Sequence, residues 1–357
     1  MNEASIQILP RGRVAPLTTM NLARGAQRGS FDGGVYYNND EICLSGKQIK
    51  AGYWNDTAPF PGKNIESIDG HHVFCGMVQN EHFGHFMAES LSRLWAFQHL
   101  DKSYDSAAFY LRSRDRALAS FVTETFNLLV PNITVRPVLV PTQFRILAVP
   151  QQIAHCDSGF IYGHPLIRQM LAPMRGIEGT GPRKIYVSRS KMSPRDGGFL
   201  LENFIESNLD EEGYTTIHPQ DMSIRDQIAA YNAADYLVFA DGSALHLYAL
   251  VAKPEQRAFV IWRRKVNSVF TWQVETFGGP RLGGKSCVKE LWVRDHEPIE
   301  TVQGKAVLNF PILRTQLIEA GMIGGATWQY PTDSEQQEAL AALSNRLKWK
   351  FALYEIA

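Results

Sequence analysis

Two histidines and a glutamate stand at helical spacing in the segment NEHFGHFMAESLSR, residues 80–93. His82, His85 and Glu89 occupy positions i, i+3 and i+7, so a helix would present them on one face. Histidine is the usual general base near neutral pH, and a carboxylate one turn away can orient its ring. The spacing therefore predicts a group that accepts a proton. Two alternatives stay open, namely histidines with a purely structural role and metal ligands.

A second group of polar residues follows two apolar segments. Ser188 and Arg189 close KIYVSR, and Asp241, Gly242 and Ser243 follow YLVFA. Both segments are typical of strands, and ligands of open α/β sheets bind beyond the carboxyl ends of strands. Free N–H groups at a helix start attract anions, and a guanidinium suits a phosphate. We predict an anion-binding crevice here. The alternatives are an ordinary strand-to-helix turn, capped by Ser243 or Asp241, and an exposed loop arginine.

A third pattern, GPRLGGKS at residues 279–286, matches the phosphate-loop motif G-x-x-x-x-G-K-S. That motif requires a buried strand before it and a helix after it. The preceding FTWQVETF is mixed in polarity, and the following CVKELWVRDHEP is typical of a strand. We favour a glycine-rich surface loop and keep a phosphate-loop kinase or phosphotransferase, centred on Lys285, as an alternative.

The elements that would carry the two histidines alternate between strands and helices. A helix is predicted over residues 81–100, where apolar residues recur at helical spacing. Alternation of this kind implies βαβ units and a mostly parallel sheet. Residues 1–70 are irregular, and residues 151–182 are a predicted joint with one helix at 165–174. The other elements predicted in this half are strands at 34–37, 72–78, 107–111, 133–140 and 144–149 and a helix at 118–129.

The second half repeats the alternation, and four strands with three intervening helices predict a Rossmann-like arrangement. Ser223 is predicted to cap the helix that follows it, with Asp226 as the acidic member of a capping box. Gly213 is placed to end the preceding helix. Residues 288–293 alternate like an edge strand, and residues 334–353 are predicted to form a final amphipathic helix. The other predicted elements are strands at 185–188, 215–218, 236–240 and 259–262 and helices at 199–209 and 244–252.

Composition narrows the class of protein. Among 357 residues, Lys+Arg and Asp+Glu are equal at 36 each, so no charge surplus indicates a nucleic-acid partner. The 4 cysteines are far apart and form no CxxC pair, which argues against a zinc site and suits a reducing compartment. The N-terminal segment lacks the apolar run of a signal peptide, and no stretch approaches the roughly 20 apolar residues of a membrane helix. We expect a cytoplasmic protein.

Taken together, these motifs resemble glycosyltransferase family 61, whose members include xylosyl- and N-acetylglucosaminyltransferases and bacterial capsule-type polysaccharide enzymes. The resemblance covers roughly residues 70–265. The family pattern has three motifs. The first is similar to N-x-x-x-x-H-(W/F)-x-x-E, the second is a strand ending in Y-(I/V)-S-R, and the third is S-x-x-(E/D)-Q followed by G-x-H-G-(A/S)-x-L-x-N. The matching residues are Asn80, His85, Phe86, Glu89 and Arg93; then 186–189, Arg195 and the reversed pair Glu202-Asn203; then Ser223, Asp226, Gln227 and 240–246.

Two residues differ from the family pattern. Asp241 stands where the family commonly has a histidine, and His246 stands where it has an asparagine. A carboxylate beside a diphosphate would repel it, so we expect Asp241 to contact a ribose or to cap the helix. These differences keep open a non-catalytic carbohydrate-binding protein of the same fold.

The resemblance implies an α/β protein of GT-B architecture, in which two Rossmann-like domains face each other across a cleft. Residues 1–165 would hold the acceptor, residues 166–330 would hold the nucleotide-sugar, and residues 331–357 would form a C-terminal helix. Transfer from a nucleotide-sugar, typically a UDP-sugar, to a glycan or polysaccharide hydroxyl would invert the anomeric centre, with no essential metal and no cofactor. The implied site residues are His85 and Glu89 as catalytic groups, Ser188, Arg189, Gln227, Asp241, Gly242, Ser243 and His246 on the donor, and Asn80, His82 and Arg93 on the acceptor side.

Overall fold

The computed structural model describes residues 4–16, 20–21, 29–31, 33–50, 53–55, 59–112, 117–156, 158–296, 299 and 301–355. The chain forms two compact units, Met1–Gly176 and Ile177–Ala357. Each unit combines strands with helices, which confirms a mixed α/β protein. Within the described part of the chain, no helix has both the length and the apolar character needed to span a membrane.

The first unit is built on two sheets. Its strands are β1 Ile6–Pro10, β2 Arg13–Ala15, β3 Met20–Asn21, β4 Gly29–Phe31, β5 Gly34–Tyr36, β6 Ile49–Lys50, β7 Tyr53–Asn55, β8 Glu66–Gln79, β9 Ser106–Arg112, β10 Thr134–Pro137 and β11 Thr142–Pro150. The larger sheet is 7-stranded, with the order β10-β9-β8-β11-β2-β5 and β1 paired with β11. The strands β8 to β11 pair in parallel, whereas β1, β2 and β5 join antiparallel. The smaller sheet has the order β3-β4-β7-β6.

The helical segments of the first unit are short. They are a 3₁₀-helix at Leu44–Gly46, α1 Phe83–His85, a π-helix at Phe86–Ser90, a 3₁₀-helix at Leu94–Gln98, α2 Ser120–Leu129, α3 Pro165–Met170 and α4 Ala172–Arg175. The continuous helix predicted over residues 81–100 is wrong. Every residue from 86 to 96 is buried. The backbone conformation is therefore set by packing on all sides of the segment and not by burial of one amphipathic face. The helix predicted over 165–174 breaks at Leu171, because Pro173 has no N–H to continue it.

The second unit also contains two sheets. Its strands are β12 Lys184–Val187, β13 Gly198–Phe199, β14 Thr215–Ile217, β15 Tyr236–Ala240, β16 Arg257–Ile261, β17 Val288–Arg294, β18 Lys305–Leu308 and β19 Phe351–Tyr354. Its helices are α5 Glu202–Glu211, α6 Ile224–Ala233, α7 Ala244–Val251, α8 Ser268–Thr276, α9 Phe310–Glu319 and α10 Asp333–Leu347, with 3₁₀-helices at Pro219–Asp221 and Thr301–Gln303. One sheet is wholly parallel, in the order β14-β12-β15-β16, and the other has the order β13-β18-β17-β19.

The parallel sheet of the second unit has a topological switch point. The chain passes from β12 outward to β14 and then returns to β15 on the other side of β12. Doubly wound sheets bind ligands at the carboxyl ends of the strands where this reversal occurs. The loops that follow β12 and β15 are therefore the expected ligand-binding loops of this unit.

Several predicted elements of the second unit are confirmed. The strand at 236–240 is observed with the predicted bounds. The side chain of Ser223 caps α6 by accepting from the N–H of Asp226 at 3.1 Å. Gly213, after α5, has a φ of +82°, which a glycine adopts without strain.

Three predictions for this unit are wrong. The helix predicted from residue 199 begins at Glu202, because Gly198–Phe199 pairs with β18 and Leu201 turns the chain with a φ of +62°. The final helix ends at Leu347, where Lys348 adopts a φ of +57°. The chain beyond it forms β19, so β17 is an interior strand rather than the predicted edge.

Candidate functional site

Arg189 and Gly242 meet at the switch point of the second unit. Arg189 follows β12 and Gly242 follows β15, and these two strands are neighbours. A Cβ added to Gly242 would lie 2.5 Å from Arg189 Nη1 and 3.1 Å from its Cδ. Nη2 of Arg189 also donates to the carbonyl of Gly197 at 3.0 Å. The glycine therefore lets the guanidinium lie directly against the turn that opens α7.

Two arginines that the sequence analysis did not select follow the next strand. Arg263 and Arg264 come after β16, and both approach the carboxylate of Asp241. Nε of Arg264 lies 3.2 Å and Nε of Arg263 lies 3.7 Å from Asp241 Oδ2. Arg263 also donates to the carbonyls of Asp241 (3.0 Å) and Val302 (2.7 Å). Burial lowers the pKa of Arg263 to about 10, so it stays charged at neutral pH.

Asp241 is therefore a buried carboxylate between two cations. It is 0% exposed, and its Oδ1 has no hydrogen-bond partner among the described residues. The expectation that it caps α7 is wrong, because Ser243 is the residue at the cap position. The two arginines balance the negative charge that would otherwise repel a diphosphate.

A lysine from the second sheet joins these arginines. Lys305 opens β18, is 7% exposed, and donates to the carbonyl of Asp196. Burial lowers the pKa of Lys305 to about 8; Asp196 opposes this effect, and the charges of Arg189 and Arg263 add to it. We refer to Arg189, Arg263, Arg264 and Lys305 as the basic cluster.

A buried glutamate holds the loop that carries Arg189. Oε1 of Glu202 accepts from the N–H of Arg189 (2.7 Å), from Tyr186 Oη (2.9 Å) and from Ser188 Oγ (3.0 Å). Burial raises the pKa of Glu202 despite these hydrogen bonds. Ser188 is itself 2% exposed and lies 2.6 Å from Glu206 Oε1. Ser188 therefore fixes the loop, and Arg189, the next residue of this loop, stays partly exposed.

The start of α7 lies beside Arg189. Ser243 is exposed, and its side chain makes no capping hydrogen bond. The first N–H groups of a helix have no partners within the helix, and together with the dipole they attract anions. Arg189 and this helix start can therefore act on the same anion.

Gln227 and His246 make their contacts elsewhere in the unit. Nε2 of Gln227 donates to the carbonyls of Pro219 (3.0 Å) and Met222 (3.3 Å). Nδ1 of His246 lies 2.7 Å from Gln273 Oε1, in α8. None of these contacts is with the basic cluster, so a donor-binding role for either residue stays a prediction.

In the first unit, Glu89 is held as a carboxylate. Burial acts to raise the pKa of Glu89, but the hydrogen bond with His85 and the charge of Lys50 outweigh burial, and the pKa lies below its ordinary value. Lys50 pairs with Glu89 Oε2, and Gln79 Nε2 donates to the same oxygen at 3.1 Å. Lys50 lies in β6 and Gln79 ends β8, and the sequence analysis selected neither residue.

His85 and Glu89 form a hydrogen-bonded pair. Nδ1 of His85 lies 2.6 Å from Glu89 Oε1. The side chain of His85 is 51% exposed, whereas that of Glu89 is 3% exposed. Because an ionised carboxylate only accepts hydrogen bonds, we assign the proton to Nδ1, which leaves Nε2 as an acceptor. This is the arrangement of a general base that a carboxylate orients.

His82 and Asn80 flank this pair differently. His82 is exposed, and its ring centroid lies 5.9 Å from that of His85. Asn80 is buried, donates to the carbonyl of Ala117 (2.8 Å) and accepts from the N–H of Ala119 (2.8 Å). Asn80 therefore fixes the segment before α2, and His82 is the one of the two that offers surface to an acceptor. Among the described residues, no group of three or more His, Cys, Asp or Glu side chains could hold a metal ion.

Arg93 is an interior residue of the first unit. It is 0% exposed, and its guanidinium donates to the carbonyls of Ser45 (2.7 Å), Lys47 (2.7 Å) and Pro150. Burial lowers the pKa of Arg93 to about 10. Arg93 thus ties the N-terminal segment to the end of β11 and has no surface with which to contact an acceptor.

The glycine-rich pattern at 279–286 is not a phosphate loop. The helix α8 precedes it and the strand β17 follows it, the reverse of the order that the motif requires. Gly283 pairs instead with the edge of β16, donating to the carbonyl of Ala258 (2.8 Å) and accepting from the N–H of Val260 (3.0 Å). The phosphate-loop kinase is therefore excluded as an alternative.

Both units indicate one class of enzyme. Parallel sheets of this topology bind nucleotides at the switch point, and a histidine oriented by a carboxylate is typical of enzymes that activate a nucleophile. Group transfer from a nucleotide-bearing substrate uses both parts. A family model described as Glycosyltransferase 61 matches residues 83–258, and the chain belongs to that family. It is a glycosyltransferase, as the resemblance implied, and no curated protein matches it at a significant level.

Proposed function

We propose that the protein is an inverting glycosyltransferase that moves a sugar from a UDP-sugar to a hydroxyl group of a glycan or polysaccharide, without an essential metal ion. We further propose a GT-B arrangement, with the acceptor bound by the first unit and the donor by the second. The basic cluster at the switch point is the observation that carries this proposal. It gathers cations where doubly wound sheets bind nucleotides.

The donor diphosphate would contact Arg189 and the start of α7. The guanidinium of Arg189 has planar donors that suit a phosphate, and glycine at position 242 allows the backbone to approach closely. Arg264, with a side chain that is 25% exposed, adds a second charge. Arg263 and Lys305 are more deeply buried, so they act through their field. Asp241, which is 0% exposed, would act by holding Arg263 and Arg264 beside the diphosphate rather than by contacting the donor itself.

The chemical step would use the basic cluster of the second unit and the pair of His85 and Glu89 in the first unit. The acceptor oxygen attacks the anomeric carbon from the face opposite the diphosphate, so the configuration inverts. The bond to the diphosphate breaks, and its electron pair leaves with the nucleotide oxygen, where the basic cluster stabilises the charge. The acceptor proton passes to His85 Nε2, and Glu89 stabilises the imidazolium that forms. Fixed cations thus have the role that a divalent metal has in other transferases.

A thermal-shift screen in EDTA tests the donor assignment. The full chain is heated with UDP, GDP, ADP and a panel of UDP-sugars. We expect UDP and at least one UDP-sugar to raise the melting temperature selectively, since a ligand at 100 times its Kd stabilises by about 2.7 kcal/mol. Lys285→Ala, outside the basic cluster, is the control and should keep the response. Stabilisation by no uridine nucleotide, or only after a divalent metal is added, would contradict the proposal.

A further inference from the structure

Lys50 is a buried cation at the His85–Glu89 pair of the first unit. It ends β6, is 4% exposed, and pairs with Oε2 of Glu89, while Oε1 of the same carboxylate contacts His85. An ammonium group this deeply buried is stable only when an opposite charge accompanies it. The family match begins at residue 83, so Lys50 comes from a segment outside it.

Two contacts fix the short strand that carries Lys50. The side chain of Gln152 accepts from the N–H of Ile49 (2.7 Å) and donates to its carbonyl (2.9 Å). Gly159, with a φ of +74°, approaches so closely that a Cβ there would lie 2.8 Å from Lys50 Cα. The segment that follows β11 therefore holds Lys50 in position against Glu89.

We propose that Lys50 is a positioning residue for the transfer reaction, which holds the Glu89 carboxylate against His85 and balances its charge. The inference rests on the proposed function, in which His85 is the general base. With His85 as the remaining cationic partner, a buried carboxylate would keep a proton on the pair to higher pH, because the two groups titrate together. Loss of Lys50 is therefore expected to raise the pH at which the pair releases its proton.

The groups that face His85 come from several elements. Glu89 and His82 lie on its own helical segment, and the uncharged ring of Phe160 lies 6.4 Å from the His85 ring. Lys50 reaches the pair from β6 through Glu89. Glu89 brings a negative charge to this set and Lys50 a positive charge. Removing Lys50 therefore changes the electrostatic environment of the pair while leaving the surface of His85 in place.

Carbethoxylation by diethyl pyrocarbonate measures the effect without any substrate. The reagent attacks unprotonated imidazole, so the rate at His85, followed by mass spectrometry across pH, reports its protonation. We expect the midpoint of the pH dependence of this rate to lie about one pH unit higher in Lys50→Met than in the wild type. Lys50→Arg, which keeps the charge, should stay near the wild-type midpoint. The exposed His99 is an internal control and should not change.

The possible outcomes distinguish a failure of this inference from a failure of the proposed function. A folded Lys50→Met protein with an unmoved midpoint overturns the inference, and Lys50→Gln provides the same test if Lys50→Met does not fold. In transferase assays, the acidic limb of the pH profile of kcat/KM should move to higher pH in Lys50→Met, together with the midpoint of carbethoxylation. A lower kcat with an unmoved limb would show a merely structural lysine. If the midpoint shifts but His85→Ala keeps full transferase activity, it is the assignment of His85 as base that fails.

Discussion

The two functional regions differ in how their charges are balanced. The basic cluster of the second unit brings three arginines and a lysine together, with Asp241 between two of the arginines and with the carboxylates of Asp196 and Glu202 also close to it. The His85–Glu89 pair of the first unit has one lysine, Lys50, for one carboxylate, with the histidine exposed beside them. The first arrangement has a surplus of positive charge, and the second is close to neutral.

This difference matches what each region would receive. A surplus of fixed cations suits a ligand that arrives as an anion and becomes more negative as the bond breaks. A balanced carboxylate–lysine pair suits a histidine that must be neutral before the reaction and protonated after it. Loss of one cation from the cluster should therefore weaken the site, whereas loss of the single base should abolish nearly all catalysis.

The largest expected effect is that of His85→Ala. Removal of a general base lowers kcat by about 10²- to 10⁴-fold. Release of UDP from a UDP-sugar in the presence of acceptor measures the rate, and calorimetry with UDP should show unchanged donor binding. His82→Ala is the matched control, because His82 is exposed on the same segment and no carboxylate among the described residues orients its ring as Glu89 orients that of His85. A greater loss of rate in His82→Ala than in His85→Ala would reverse the assignment.

The next effect is that of Arg189→Ala. A hydrogen bond to a charged group contributes about 1.5–3 kcal/mol, so we expect the Kd for UDP to rise about 10- to 100-fold. Arg183→Ala is the control, because Arg183 lies before the opposite end of the same strand and pairs with Asp235 at the surface. Isothermal titration calorimetry measures the Kd for UDP in both variants. Equal losses in the two variants would mean that overall charge, rather than the switch point, attracts the nucleotide.

The smallest effect concerns pH and Lys305. Because burial lowers the pKa of Lys305 to about 8, its charge is lost as pH rises through that value. The affinity for UDP should therefore fall roughly fivefold from pH 7 to pH 9, since a screened charge contributes about 1 kcal/mol. Calorimetry at both values should show this fall in the wild type and not in Lys305→Met. A fall that persists in the variant assigns the titration to another group.

The same lowered pKa predicts how stability depends on pH. An unfolded lysine keeps its proton up to a pKa of about 10.5. Between pH 8 and 10.5 the unfolded state therefore binds more protons than the folded state, and the contribution of Lys305 to the free energy of unfolding rises with pH. Chemical denaturation of the wild type and of Lys305→Met across this window measures that contribution.

Local patterns predicted part of the fold and of the site. The strand at 236–240 was found from its unbroken apolar run, and the contact of Arg189 with Gly242 follows from the rule for parallel sheets. The pairing of His85 with Glu89 survives in an irregular helix, because residues four apart remain neighbours through the π-turn.

The remaining site residues depend on contacts distant in sequence. Arg263 and Arg264 stand in a charged run after a strand, a pattern typical of a solvated loop, and only the neighbouring strand brings Asp241 to them. Lys50 lies in a two-residue strand without periodicity, and it meets Glu89 through contacts made more than 100 residues later by Gln152. No local pattern could have shown either pairing.

The glycines that imitate a phosphate loop have a consequence for solubility. Gly283 covers the outer edge of β16 with two hydrogen bonds, and Gly284 passes the carbonyl of Val260 with a φ of +104°, too closely for any side chain. An uncovered edge of a parallel sheet is a template on which another chain can add a strand. This tight glycine loop therefore protects the parallel sheet of the second unit from self-association.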